Sequence, residues 1–438
     1  MVGNKTFALM QFDNYGEGND IAITEDGTLY SDRPPGTAIV GTIFYTVSSW
    51  FPEFPHPLPS RHDAENPRLI YVMLLPSLFG AGTVVLLYFF LRQLSIPTAA
   101  AMTTSIFFAI GTIHWKYSSV LFSHALSSFL IMLSLYLAVN IIHDNRNLII
   151  LRFILGFTLG FSVLTEYSNF IIVIIIALLL LISIKTFTLK SIATAITPFI
   201  AGGLLPAMFL AFYNYSNFGS PFTLSYTYAL NYPWAGDFRS TFDFPLLSGL
   251  KAMLYWGQGG GWCGETCTNQ GVFLLSPILL LALPGFWPYV RQAQWISGLT
   301  AFIFIIYLIF FSKHHTAHGF TADGRYLAPF LTLLAIPMGF TIKSIFAYSH
   351  RLTQSILFLG MYGLFYISVR NIFIHIGYSY NYHLNLAMLD KTAVAPANWN
   401  YLFNQVFRNI NNLPLLWLIL ILFLSLWLIV REFIKRKF

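Results

Sequence analysis

The sequence predicts an all-α polytopic membrane protein with about 11 transmembrane helices and an outer-face first loop that carries interfacial helices. Of its 438 residues, 56% are hydrophobic and only 9% are charged, whereas a soluble domain carries about 25% charged residues. Apolar runs long enough to cross a bilayer, roughly 17–25 residues each, recur along the whole chain. The chain is therefore predicted to be a multi-pass protein of the cell membrane.

The predicted membrane spans follow these apolar runs. They cover residues 68–92, 98–114, 118–142, 149–165, 167–186, 192–213, 271–290, 295–312, 327–346, 352–373 and 413–431. Lys and Arg residues lie in or beside the short links 143–148, 187–191, 291–294 and 347–351, and the chain ends in the basic stretch "REFIKRKF". Because positive residues are enriched on the cytoplasmic side of membrane proteins, these links and the C-terminus are predicted to be cytoplasmic.

The opposite face is the predicted working face. Alternation along the chain places outside the N-terminus and residues 53–67, 214–270, 313–326 and 374–412. Only Asp144 and Glu432 are acidic on the inner side, although carboxylates contribute little to orientation. Much of the net charge of +7 belongs to the cytoplasmic side, so it does not indicate a nucleic-acid partner.

Four parts of the chain follow from this topology. Residues 1–67 form an outer-face first loop, 68–213 an N-terminal transmembrane module, 214–270 an outer loop, and 271–438 a C-terminal transmembrane module. Within the first loop, the apolar segment 37–51 has about fifteen residues and is short for a span. It is predicted to be a helix lying at the outer interface of the membrane.

The motif "SDRPPG" precedes that interfacial helix and carries Asp32 and Arg33. The two prolines fix φ and force an extended approach to the helix. One interpretation is a rigid loop-to-helix junction with Asp32 and Arg33 as solvated flanks. The other is a phosphate site, because the guanidinium fork of Arg33 matches the oxygens of a lipid phosphate.

Several stretches resemble the GT-C fold glycosyltransferases. "LYSDRPPG" is similar to the Lys-Pro-Pro elbow in the first outer loop of that superfamily, which includes the protein O-mannosyltransferases and the lipid A aminoarabinose transferases. "WKYSSVLFSHALSSF", "LTEYSN", "GVFLLSP" and "GRYLAP" resemble further stretches of an uncharacterised branch. The resemblance implies a sugar taken from a polyprenyl phosphate carrier, with Arg33 holding the carrier phosphate and Arg325 making a second phosphate contact.

The chain departs from that pattern at the catalytic base. In the superfamily an Asp, usually followed by Glu, lies upstream of the elbow, but the alignment places Gly3 and Asn4 there. The nearby carboxylates are Asp20, Asp13 and Asp32. Asp20 and Asp13 rank level as candidates to deprotonate the acceptor, because they flank "NYGEGN", whose glycines let the loop fold back over a cavity. Asp32 ranks third, because its neighbour Arg33 keeps it ionised but also pairs with it.

Three further ionisable residues are candidates for substrate binding. Lys116 and His124 lie at the predicted outer start of a span, about two helical turns apart on one face. Glu166 lies on the outer hairpin between two spans. Ionisable groups at membrane depth are functional candidates by default, although histidines that only pack between helices also occur.

A metal and a disulfide are the remaining alternatives. His314 and His318 have an i,i+4 spacing that suits a divalent metal, but no fixed carboxylate completes the set, so no metal cofactor is predicted. Cys263 and Cys267 lie in a predicted outer loop, where a small-loop disulfide is favoured over a metal pair. Tyr226 and Tyr232 are either sugar-stacking groups or interfacial belt residues.

The predicted function is transfer of a sugar from a polyprenyl phosphate carrier to a glycan, lipid or protein acceptor at the extracytoplasmic face. The alternative is a lipid-linked sugar transporter or flippase, or a relative that binds the lipid-linked sugar without catalysis. Transporters usually show broken helices and charges near mid-span. Here the ionisable residues gather at the predicted outer ends of the helices, which favours chemistry at that face.

Overall fold

The computed structural model describes residue 7 and residues 20–51, 68–143, 149–184, 188–258, 268–316 and 323–388. Asp13, both cysteines, His318 and the predicted span 413–431 lie outside the described residues. The described residues therefore include the elbow, most of the predicted spans and parts of the predicted outer loops.

Helices dominate the described residues, as the apolar runs predict. The α-helices are α1 (Gly36–Val47), α2 (Leu69–Gln93), α3 (Thr98–Gly111), α4 (His114–Tyr117), α5 (His124–His143), α6 (Ile149–Thr165), α7 (Phe170–Ile182), α8 (Leu189–Phe218), α9 (Phe238–Thr241), α10 (Leu246–Leu254), α11 (Val272–Leu275), α12 (Ala282–Gln292), α13 (Gln294–Ser312), α14 (Thr332–Phe346) and α15 (Arg351–Met388). Short 3-10 helices connect several of them, among them Tyr167–Asn169, Ser225–Tyr228, Pro277–Leu281 and Arg325–Phe330.

Five of these helices contain stretches long and apolar enough to cross a membrane: Tyr71–Gln93, His124–His143, Leu189–Phe218, Gln294–Ser312 and Arg351–Phe373. Shorter apolar helices of 10–17 residues lie between them. The prediction of a helical polytopic membrane protein is confirmed for this part of the chain. The predicted number of spans is not confirmed, because several predicted spans are short or interrupted helices here.

Two predicted spans differ from the structure for local reasons. Residues 271–290, expected as one span, form α11, a 3-10 turn that begins at Pro277, and then α12. Proline lacks an N–H donor and ends the regular ladder there. At the C-terminal side, α15 runs on from the predicted end at 373 to Met388. Its apolar run stops, but residues 374–388 contain no proline that would end the helix.

Two small antiparallel hairpins add strands to the helical fold. β1 (Ile21–Ile23) pairs with β2 (Leu29–Ser31) in the first loop, and β3 (Trp256–Gln258) pairs with β4 (Thr268–Gln270) in the outer loop. Three-residue strands give too little alternation to be recognised in a sequence. The first hairpin leads directly into the elbow and α1.

The helix pairs that position the site pack around α5 and α14. α5 contacts α2 and α6, α6 lies along α8, and α14 contacts α3 and α12. One continuous core of buried apolar residues joins these helices. α1 contacts α2 and the C-terminal part of α6. The first loop is therefore held against the end of the bundle at which α6 ends. The side chains of Ile43 and Trp50 stay exposed, at 56% and 79%, which suits the predicted interfacial helix.

Candidate active site

The first hairpin places an acidic residue beside the elbow arginine. Ile21 pairs with Ser31, so Asp20 and Asp32 flank the open end of the hairpin, and the Asp32 N–H donates to the Asp20 carbonyl at 3.2 Å. The Arg33 guanidinium forms an ion pair with the Asp20 carboxylate through Nη2. Its Nε lies 3.3 Å from Oδ1 of Asp32. Two of the three predicted catalytic carboxylates therefore lie against the predicted phosphate ligand.

Asp32 is held in an unusual environment. Its side chain is fully buried, and neither carboxylate oxygen accepts a hydrogen bond from the described residues. Burial raises the pKa of Asp32 to about 7, the charge of Arg33 opposes that rise, and Asp20 adds to it. A buried carboxylate without hydrogen bonds is costly to keep charged, and such groups often lie at functional sites.

Gly36 fixes the elbow to the bundle. A Cβ atom at this position would lie 2.6 Å from the carbonyl oxygen of Leu164 and 2.7 Å from the backbone nitrogen of Thr165. Those are backbone atoms, which cannot move aside as a flexible side chain can. Only glycine lets the start of α1 rest on the last turn of α6, one residue before Glu166.

Aromatic rings and the outer loop surround Arg33. Its Cζ lies 6.0 Å from the ring centroid of Tyr226 and 5.8 Å from that of Tyr232. The Ser225 hydroxyl donates to the Asp32 carbonyl at 2.6 Å, which ties the 3-10 helix Ser225–Tyr228 to the elbow. The two tyrosines considered as sugar-stacking groups are thus neighbours of the predicted phosphate ligand.

Arg325 approaches the same region from the C-terminal half. Its Cζ lies 5.4 Å from the ring centroid of Phe122 and 5.2 Å from that of Tyr326. The buried Nε of Arg325 has no hydrogen-bond partner among the described residues. It therefore keeps a donor available, which is what a phosphate ligand requires.

Two other side chains show that the arginines share one neighbourhood. Burial raises the pKa of Tyr232, Asp20 adds to the rise, and the positive charges of Arg33 and Arg325 both oppose it. Burial also lowers the pKa of His314 to about 4, and the same two charges contribute to the lowering. Ring contacts from Tyr232 to Trp234, from Trp234 to His314 and from His314 to Tyr326 connect the two arginines, because Arg33 lies over Tyr232 and Arg325 lies over Tyr326.

A closed cluster of charges lies beside this region. Asp323 accepts from Lys116 Nζ at 2.8 Å, from Tyr117 at 2.7 Å, and pairs with His375 Nε2 at 2.8 Å. Lys116 Nζ also lies 3.2 Å from His375 Nε2. Burial would raise the pKa of Asp323, but the charge of Lys116 and the contact with His375 outweigh it and hold that pKa well below its usual range. Lys116 is therefore engaged with protein groups.

His124 and Glu166 form a pair of their own. His124 Nδ1 lies 2.8 Å from Glu166 Oε1, and the Ser123 hydroxyl donates to the same oxygen at 2.8 Å. Both side chains are largely buried, at 7% and 14% exposure. His124 begins α5 and Glu166 follows α6, so the packing of these two helices creates the pair.

The described loops provide no metal site. No group of three His, Cys, Asp or Glu side chains within the described ranges could hold a metal ion. His314 packs among aromatic rings instead, edge-on to Trp234 with a centroid separation of 5.2 Å and tilted against Tyr326 at 5.1 Å. The divalent-metal alternative thus has no ligand set in this part of the chain.

Sequence reasoning missed His375 as a partner of Asp323, and it missed Ser123. His375 fell in a predicted outer loop, and Asp323 had been considered only as a neighbour of the loop histidines. The available signal was Lys116 itself, because a lysine at membrane depth requires a counter-charge. The sequence did not indicate which carboxylate supplies it.

Comparison with known proteins gives a fold. No protein-family model matches the sequence, and no curated protein matches it. Among solved structures, the chain is similar to the archaeal oligosaccharyltransferase AglB from Archaeoglobus fulgidus, which was determined in complex with an inhibitory peptide and a dolichol-phosphate. The TM-score is 0.51 at 14% sequence identity, and the match covers 80% of this chain.

AglB has the GT-C fold, so the fold expected from the sequence resemblance is confirmed. The match covers 48% of AglB, so this chain corresponds to about half the length of that structure. At this identity the similarity concerns the arrangement of the chain and not its activity.

Proposed function

We propose that the chain is a membrane glycosyltransferase that takes a sugar from a polyprenyl phosphate carrier and transfers it to an acceptor hydroxyl or amide. The observation that carries this proposal is the convergence of Arg33 and Arg325 on one region of the loop end of the helices. Arg33 lies 5.8 Å from the ring centroid of Tyr232 and Arg325 lies 5.2 Å from that of Tyr326. Ring contacts from Tyr232 to Trp234, from Trp234 to His314 and from His314 to Tyr326 join the two. Two guanidinium groups in one place suit a phosphate.

The chemistry follows from charge. When the bond between the anomeric carbon and the carrier oxygen breaks, negative charge grows on the phosphate, and fixed positive groups stabilise it there. Arg325 has an unpaired Nε for this purpose among the described residues. Asp20 and Asp32 lie on either side of Arg33 and hold its guanidinium in place. The predicted use of Asp20, Asp13 or Asp32 as the base stays a prediction.

The site lies at the loop end of the bundle that the positive-inside rule assigns to the extracytoplasmic face. The exposed side chains of Trp50 and Phe51 provide an apolar surface at the end of α1 that lies away from the elbow. Such a surface is suited to the boundary where a polyprenyl chain leaves the bilayer. The partners of this proposal are the lipid-linked sugar, the bilayer, and a glycan, lipid or protein acceptor.

A transfer assay in oriented vesicles tests the proposal. Polyprenyl phosphates that carry a radiolabelled hexose or aminosugar are supplied to vesicles with the loop face outward, together with a membrane extract as the source of acceptors. We expect label to leave the carrier with the wild-type protein and not with the Arg33→Ala/Arg325→Ala variant. Binding of the carrier, or its passage across the bilayer, without loss of label from it would instead identify a binding protein or transporter.

A further inference from the structure

Sugar transfer to a hydroxyl requires a group that takes the acceptor proton. In the first loop, Asp20 is already engaged in the ion pair with Arg33, and the Asp32 carboxylate is fully buried. Asp20 is therefore committed to Arg33 through one of its two oxygens, and Asp32 would have to leave its buried position to reach an acceptor.

The pair of His124 and Glu166 has the arrangement that the first loop lacks. The carboxylate of Glu166 contacts Nδ1 of His124 at 2.8 Å, and the Ser123 hydroxyl fixes the same carboxylate oxygen at 2.8 Å. A carboxylate accepts a hydrogen bond from Nδ1–H and so favours the imidazole tautomer that carries its proton on Nδ1. The lone pair then lies on Nε2, the nitrogen that can accept a proton.

The His124 ring is also held in place by its aromatic neighbours. Tyr117 packs edge-on against it with a centroid separation of 4.9 Å, and the Phe122 centroid lies 5.9 Å away. Phe122 has Arg325 over its ring at 5.4 Å. One phenylalanine ring thus lies between His124 and an arginine of the proposed phosphate site.

His124 and His375 engage opposite ring nitrogens. The Nε2 atom of His375 contacts both Asp323 and Lys116, so that nitrogen is fully occupied. Nε2 of His124 has no hydrogen-bond partner among the described residues, while its Nδ1 is firmly held. In a general base with an orienting carboxylate, one ring nitrogen donates to the carboxylate and the other has a lone pair that can accept a proton. His124 has this arrangement.

We infer that His124 is the catalytic base and that Glu166 is its positioning residue, an inference that rests on the proposed sugar transfer. Nε2 of His124 takes the proton from the acceptor O–H as the acceptor oxygen forms its bond to the anomeric carbon. The bond from that carbon to the carrier oxygen breaks, and its electron pair leaves on the phosphate between Arg33 and Arg325. Glu166 stabilises the imidazolium, which then returns its proton to water.

The test uses full-length protein in nanodiscs and three variants: His124→Gln, Glu166→Gln and, as the matched control, His114→Gln. His114 is another buried histidine, whose Nε2 lies 3.1 Å from the Gly80 carbonyl, and a glutamine amide can preserve that contact. Each protein is measured for polyprenyl phosphate binding, for sugar transfer with the donors described above, and for histidine tautomers by ¹⁵N NMR.

We expect His124→Gln to lower kcat by about 10²–10⁴-fold while the affinity for polyprenyl phosphate stays within twofold. Glu166→Gln should lower kcat less, and it should move the proton of His124 between the two ring nitrogens, which a merely structural role would not do. His114→Gln should retain transfer.

Three results would overturn the inference in different ways. If wild type transfers sugar and His124→Gln transfers at the same rate, the base lies elsewhere and the proposed function stands. If Glu166→Gln leaves the His124 tautomer unchanged, the positioning role is wrong. If wild type binds the carrier and transfers none of the labelled sugars, the proposed function itself fails, and this inference fails with it.

Discussion

Two groups of charges lie at the same end of the helices and differ in how they are satisfied. Around Asp323, one carboxylate receives Lys116, Tyr117 and His375, and all of these side chains are buried. Around Arg33 and Arg325, two cations share a region in which the Nε of Arg325 has no described partner. The charged groups around Asp323 find their hydrogen-bond partners within the protein, which indicates a structural role. The Nε of Arg325 has no such partner among the described residues, which is the arrangement expected of a ligand-binding group.

The comparison also separates two kinds of carboxylate. The charge of Lys116 and the contact with His375 keep the pKa of Asp323 low despite burial, whereas burial prevails at Asp32 and raises its pKa to about 7. Both carboxylates are fully buried. The number of donors around each therefore decides the direction of the shift. The following changes break or sharpen this comparison, from the largest expected effect to the smallest.

Removing the charge of Asp323 should have the largest effect on stability. Asp323→Asn leaves Lys116 buried without a counter-charge, and breaking a buried pair costs about 3–5 kcal/mol of free energy of unfolding. Thermal and denaturant unfolding in detergent micelles measure it. The matched control is Asp243→Asn, because Asp243 is half-exposed and pairs with His315 at 2.9 Å near the surface. Such exposed pairs contribute only about 0–1 kcal/mol. Equal losses in both variants would contradict a structural role for the Asp323 cluster.

Removing Arg325 should affect binding more than stability. A charge-assisted contact contributes about 1.5–3 kcal/mol, so Arg325→Ala should weaken polyprenyl phosphate binding roughly ten- to a hundredfold. Titration of the protein in nanodiscs with a short-chain polyprenyl phosphate measures the affinity. Arg291→Ala is the control, since Arg291 also stacks on an aromatic ring, that of Trp287 at 4.6 Å, in a link predicted to be cytoplasmic. Unchanged affinity in a folded Arg325→Ala protein would remove Arg325 from the site.

Adding one methyl group at Gly36 should displace the elbow. The new Cβ would meet backbone atoms of Leu164 and Thr165, and such overpacking costs about 1–3 kcal/mol. Gly36→Ala should therefore weaken carrier binding because Arg33 moves with the elbow. Gly41→Ala on the same helix is the control, since a Cβ there would meet only the Val72 side chain at 3.4 Å. If the two variants bind the carrier equally, the elbow does not depend on this contact.

The last change concerns the pH dependence of stability. The pKa of Asp32 is about 7 in the folded protein against an ordinary value of 3.8. Between these values the unfolded chain has lost the proton that the folded chain retains, so stability falls as the pH rises from about 4 to about 7. Asp32→Asn removes this contribution. Unfolding temperatures across that range should fall less with pH in the variant than in wild type, and identical slopes would show that the Asp32 pKa is not raised.

The helical part of the fold was largely predictable from sequence because apolar length alone defines a span. α6 was predicted with the bounds that the structure has, Ile149–Thr165. The predicted bounds were wrong where the helix does not begin and end with the apolar run. α15 continues beyond its apolar run, and the run after Gly271 is broken at Pro277. Strands of three residues carry no readable period, so neither hairpin was predicted.

The sequence indicated which residues belong to the candidate site, but it did not indicate which of them contact one another. The elbow motif indicated Arg33, and the resemblance indicated Arg325. The ion pair of Arg33 with Asp20 depends on the unpredicted hairpin. The contact between Lys116 and Asp323 joins residues 207 positions apart. A single sequence contains no information on which distant residues meet, because such pairs are set by how the helices pack.

The measurement that tests the central claim most directly is a double-mutant cycle on the two arginines. Polyprenyl phosphate affinity is measured for wild type, Arg33→Ala, Arg325→Ala and the double variant. If one phosphate contacts both guanidinium groups, the two losses should not add, and the coupling should fall in the range of about 0.5–3 kcal/mol that is typical of residues with a shared partner. Losses that add fully, or a double variant that binds as wild type does, would contradict a single phosphate site formed by Arg33 and Arg325.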